Sequence, residues 1–190
     1  DEAIKALEQI KSQYPSSDFY AFALLKLGLI YGKKSGGMNK ALEMYKTAIA
    51  SESSSNRIHA EALFQIADWY FHAKVFDKSA EAYKRLLADY PSDKRSIESK
   101  LQAAWASHNA GLYSEALKIV KNHVGPELKS SNSQSEWLYL KANCERQLLK
   151  YAEAVETYSQ LLKQHPDCEF IKPARYEKAL TCYKMGRFRT

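Results

Sequence analysis

The strongest limit on how this chain can fold is a spacing that recurs along its whole length. The segments "FDKSAEAYKRLLADYP" at 76–91 and "YAEAVETYSQLLKQHP" at 151–166 share a small fourth residue, an aromatic eighth, paired leucines and a closing proline. The small residue recurs as Ala3, Ala41, Ser79, Ala116 and Ala154, at intervals of 38, 38, 37 and 38. The larger residue four places on is Leu7, Tyr45, Tyr83, Val120 or Tyr158, at the same intervals. A period of this size, held within one residue, marks units stacked on their neighbours rather than one globular core.

Each period contains two helical patterns. The first carries a small residue where a partner helix must come close: Gly28, Ala67, Ala104, Ala142 and Ala179. Three residues later stands Tyr31, Tyr70, Ser107, Glu145 or Cys182, so the large aromatic is kept only twice. The second pattern is the quoted one, with helical apolar spacing such as Ala80, Tyr83, Leu86 and Leu87. Between periods lie "YPSS" at 14–17, "SESSSN" at 51–56, "YPSDK" at 90–94, "GPELKSSNSQS" at 125–135 and "HPDC" at 165–168. Proline ends a helix and disfavours helical geometry before it, and Ser, Asp and Asn offer caps to the next. The predicted map is a lone second helix over 1–14, pairs at 17–33 with 38–51, 56–74 with 76–90, 94–110 with 112–124 and 134–149 with 150–165, and a first helix over 170–185. That makes about ten helices and no strands, an all-α fold. The array starts on a second helix and stops as another begins, which leads us to expect a fragment of a longer array.

Composition agrees. Hydrophobic residues make up 45% of the 190, with only 7 Gly and 5 Pro, and Ala, Leu, Glu and Lys favour helix. The longest apolar run, "AFALLKLGLIYG", is broken by Lys26 and is too short to insert in a membrane. No signal peptide is visible. The net charge of +6 is interleaved, as in "DKRSIESK", and no nucleic-acid partner is expected, although "IKPARYEKALTCYKMGRFRT" is the most basic stretch. Cys144, Cys168 and Cys182 form no CxxC or zinc spacing. Cys144 and Cys182 read as buried small hydrophobes, and Cys168 as an exposed thiol in a turn. "KKSGGMNK" follows no strand and reads as a turn, not a phosphate loop. No cofactor is implied.

The set Ala21, Leu24, Leu27-Gly28, Tyr31, Ala41, Tyr45 and Ala48 resembles the tetratricopeptide repeat, as does Leu63, Ala67, Tyr70, Ser79, Tyr83, Leu86 and Pro91. The likeness covers essentially the whole chain, as repeats at 17–51, 56–90, 94–124 and 134–165 and a partial repeat at 170–190. The period exceeds the usual length of about 34 residues, mostly after the proline. Lys141 and Ser107 stand at positions usually apolar or aromatic. The resemblance implies one array over 1–190 wound as a right-handed superhelix, with first helices on its concave side. The "YP-S" breaks and long first helices look like tetratricopeptide proteins of the Gram-negative envelope. That would imply a periplasmic or outer-membrane-associated setting, with a cytoplasmic one as the alternative.

The resemblance places first-helix positions outside the core in a partner-binding groove: Phe64, Asp68, Phe71 and His72, then Trp105, His108 and Asn109, then Tyr139, Asn143 and Arg146, and finally Tyr176, Tyr183 and Lys184. Phe64, Trp105, Tyr139 and Tyr176 form an aromatic ladder, and rings beside polar rims are what peptide-binding surfaces use. The expected partner is a protein or peptide segment, and the expected function is a non-enzymatic scaffold. Pairing of the open repeat ends between chains, as a spacer or self-association region, is the alternative. Asp68, His72 and His108 have metal-ligating chemistry, but without HExxH or a second strong ligand pair they read as a polar face. The lysine–asparagine–arginine carboxylate clamp of chaperone-binding members is incomplete: Asn143 and Arg146 are one turn apart, but the first two repeats lack the rest. Neither Cys144 nor Cys182 has a His/Asp arrangement for nucleophilic catalysis.

Overall fold

The structure, a computed structural model, describes residues 2–122 and 131–186. Those residues form eleven helices and no strand: α1 (Glu2–Gln13), α2 (Tyr20–Gly32), α3 (Met38–Ala50), α4 (Asn56–His72), α5 (Phe76–Asp89), α6 (Lys94–Glu98), α7 (Lys100–Asn109), α8 (Tyr113–Lys121), α9 (Ser131–Gln147), α10 (Tyr151–Gln164) and α11 (Ile171–Lys184). They group into two compact units, 1–99 and 100–190.

The repeated sequence builds repeated turns. Tyr14–Ser17, Tyr90–Asp93 and His165–Cys168 each close with the fourth N–H donating to the first carbonyl, at 3.1, 3.1 and 3.2 Å. Pro15, Pro91 and Pro166 occupy the second position, where the fixed proline φ suits a turn. Inside three repeats the first helix ends in one motif. Val75, Leu112 and Lys150 donate their N–H to the carbonyls of Tyr70, Ser107 and Glu145 at 2.9, 2.8 and 2.9 Å. The residue before each donor is left-handed: Lys74 at φ 58°, Gly111 at 78° and Leu149 at 62°. This is the six-to-one helix stop that glycine favours.

In the first unit, Leu24, Leu27, Met44 and Ala48 form a core onto which Ile4, Leu7, Tyr20, Tyr31 and Ile58 pack. Gly28 lets the Tyr45 ring lie on the backbone of α2: a Cβ there would sit 2.7 Å from Tyr45 Cδ1. One repeat on, Ser79 Oγ donates to the Ala67 carbonyl at 2.8 Å. In the second unit, Ala104, Ala116, Leu117, Val120, Trp137, Leu140 and Cys144 form one cluster. Ala142, Ala154, Tyr158, Leu161 and Ala174 form another. Close approach at small residues, not general oiliness, sets the pairing.

The helix map changes in one place. The helix predicted over 94–110 is interrupted at Ser99, between α6 and α7. Ser96 Oγ donates to the carbonyls of Tyr90 (2.6 Å) and Leu86 (3.2 Å). Arg95 reaches Glu61 Oε2 at 2.6 Å and both Asp93 oxygens at 2.6 and 2.8 Å. These long-range bonds tie α6 to α4 and α5. Ala179 is exposed, and the second helix expected to follow α11 lies outside the described residues. At Glu145, where two repeats carry tyrosine, a buried carboxylate accepts from Thr157 Oγ1 at 2.7 Å and pairs with Lys141 Nζ at 3.6 Å. A charge replaces a ring only because it is bonded. Cys144 and Cys182 are buried, and Cys168 is partly exposed. No helix among the described residues is long and apolar enough to cross a membrane.

Candidate functional site

The groove residues of the second unit come together on α7 and α9. Trp105 projects from α7, half-buried, with Nε1 donating to Glu136 Oε1 on α9 at 2.8 Å. Its ring centre lies 6.4 Å from Tyr139 and 5.7 Å from His108. Tyr139 stacks on Phe170, ahead of α11, at 5.0 Å and 22°. His108 meets the Tyr113 ring edge-on at 5.3 Å, and its Nδ1 lies 3.2 Å from Asn109 Oδ1. Burial holds the His108 pKa below its usual value, the Asn109 bond works against that, and the charge of Arg146 adds to it. The imidazole is therefore neutral at pH 7. Asn109 is exposed.

Below these rings the polar groups are already committed. Tyr158 is wholly buried, and its hydroxyl donates to Asn143 Oδ1 at 2.6 Å. Burial pushes the Tyr158 pKa well up, with a bond from Arg146 opposing. Arg146 Nε lies 3.2 Å from Glu177 Oε2 on α11. Asn143, at 6% exposure, is thus a packing residue and not a groove contact. Arg146 is likewise neutralised by Glu177. On α11, Tyr176 and Tyr183 are 67% and 65% exposed, and Lys184 is exposed.

In the first unit, Phe64 and Phe71 are half-buried on α4, with Phe71 5.7 Å from Phe76. Asp68 Oδ1 and His72 Nε2 are 3.5 Å apart at the exposed end of α4, and His108 belongs to the other unit. No group of three His, Cys, Asp or Glu side chains suited to a metal occurs among the described residues.

Sequence reading missed Phe170 and Glu177. Phe170 precedes its helix, outside the groove register. Glu177 could have been suspected as the lone carboxylate of a basic helix.

The tetratricopeptide-repeat family model matches residues 1–17, 61–93 and 138–167. Those three stretches are tetratricopeptide repeats. A tetratricopeptide repeat protein from Parabacteroides merdae superposes with a TM-score of 0.64 at 18% identity, over 97% of this chain and 66% of that one. This chain therefore spans just under two thirds of that protein. MamA of AMB-1 superposes with a TM-score of 0.62 at 14% identity, over 90% of this chain and 86% of that one. No curated protein matches the sequence. The fold is a tetratricopeptide solenoid, and such repeats indicate a protein–protein interaction scaffold.

Proposed function

We propose that the α7–α9 face of the second unit captures a segment of another protein, with Trp105, His108 and Tyr139 as its contact rings. The observation that carries this is the bracing of those rings. Trp105 is held by Glu136 and Tyr139 by Phe170, so their poses are fixed before a partner arrives. Fixed rings lose little side-chain freedom on binding, which favours affinity. With Arg146 tied to Glu177, the face is not an anion clamp, and recognition rests on ring surface and on the exposed polar edge at Asn109. It therefore suits an internal, apolar-anchored segment better than a chain-terminal carboxylate.

A setting in the cell envelope is part of this proposal and is supported by the "YP-S" breaks alone; fractionation of native cells tests it. The binding test is recovery of partners from native lysate by the wild type and by Trp105→Ala. Loss of a buried anchor weakens such contacts by roughly 2 kcal/mol or more, about 30-fold. Equal recovery by both forms would count against the face.

A further inference from the structure

Among the described residues, every first-helix carboxylate but one has a basic side chain beside it. For Glu61, Asp68, Glu98, Glu145 and Glu177 that side chain is 2.6 to 3.6 Å away. Glu136, on α9, forms no ion pair among the described residues. Its partner is neutral: Oε1 accepts from Trp105 Nε1 at 2.8 Å. Glu136 is also half-buried, so less water is left to solvate its charge. A carboxylate can accept further bonds besides this one. The indole N–H lies in the ring plane, so its bond holds the carboxylate at the ring's edge, within reach of a group lying on the ring's face. Trp105 is itself half-buried, which leaves part of that ring open. Both α7 and α9 lie inside one compact unit.

We propose that the protein segment captured on the α7–α9 face carries an arginine or lysine, seated on Trp105 and paired with Glu136. This rests on the function proposed above for that face and adds its charge preference. Indole is the ring that attracts cations most strongly, and here a carboxylate stands at its edge. The rest of the face does not cancel that carboxylate. His108 is kept neutral at pH 7 by burial, and Arg146 is paired with Glu177. Glu136 then has two roles: it holds the indole in place, and it selects a basic segment over a neutral or acidic one. The protein as a whole carries a net charge of +6, so general attraction would draw acidic segments. A preference for basic ones has to come from a local carboxylate.

The experiment is a selection of displayed random peptides against the 190-residue protein, with the winners then titrated into wild type, Glu136→Gln and Trp105→Ala. Glutamine keeps an oxygen for the Trp105 N–H and removes only the charge. The expected winners carry arginine or lysine beside an apolar residue. Their affinity should fall about tenfold in Glu136→Gln, as for loss of a partly desolvated charge pair, and should be lost in Trp105→Ala. Replacing the basic residue of a winner by neutral citrulline or norleucine should cost as much on wild type and nothing further on Glu136→Gln. An unaltered helical circular dichroism spectrum confirms that the variant folds, and the neutral-peptide comparison on wild type stands without it. Winners that depend on Trp105 but show no basic enrichment would overturn this inference and leave the face reading in place. So would equal affinity for wild type and Glu136→Gln, or no loss with the neutral peptide. If no peptide is selected, or if the winners are indifferent to Trp105→Ala, both readings fall.

Discussion

Gly28 sits where the Tyr45 ring meets the backbone of α2, and Tyr45 is only 3% exposed. A methyl group added there has nowhere to go, because the ring is itself packed. Gly28→Ala should destabilise by about 2 kcal/mol, within the range for overpacking, even though alanine is the better helix former. A denaturant midpoint at or above wild type would refute the contact. The buried tyrosines also set an alkaline limit. Burial, helped by Glu61, pushes Tyr45 up to about 12, and burial raises Tyr83 and Tyr158 further. The unfolded chain releases these protons near pH 10, before the folded one does. Their contribution is therefore complete below pH 10 and is lost as pH rises towards 12. Tyrosinate absorbance should rise in step with loss of helicity in that window; ionisation of all tyrosines with the helices intact would contradict it.

At the scale of elements, the helix stops carry a correctable strain. Leu149 is left-handed at φ 62° and 70% exposed, at the place where Gly111 serves the preceding repeat. Leu149→Gly should stabilise the chain by roughly 1 kcal/mol, since a non-glycine residue in this region costs at least that much. A lower melting temperature would contradict this. The elements also show what the sequence could and could not reveal. Small residues at a fixed interval were legible because close helix approach tolerates little else. The break at Ser99 was not, because it depends on bonds from Ser96 and Arg95 to residues up to 38 positions away. Asn143 was read as groove-lining because periodicity gives a face, not the reach of a neighbour: the Tyr158 hydroxyl claims it from α10. Glu145 at a usual aromatic position was visible as a departure, but its partner Thr157 was not.

Across the whole molecule, stability is distributed over neighbouring helix contacts instead of one central core. The two compact units predict that Gly28→Ala lowers amide protection within residues 2–99 before it affects 100–186. Equal loss in both would show a single cooperative block. The same distribution leaves first-helix faces available for another chain without cost to the helix pairs. The most direct measurement of that claim is site-specific photo-cross-linking in native cells, with the reactive group at Asn109, at the end of α7, or at exposed Lys118 on second helix α8. The account predicts a discrete cross-linked protein from position 109, lost in Trp105→Ala, and none from 118. Cross-links of equal yield from both positions, or from 118 alone, would contradict it.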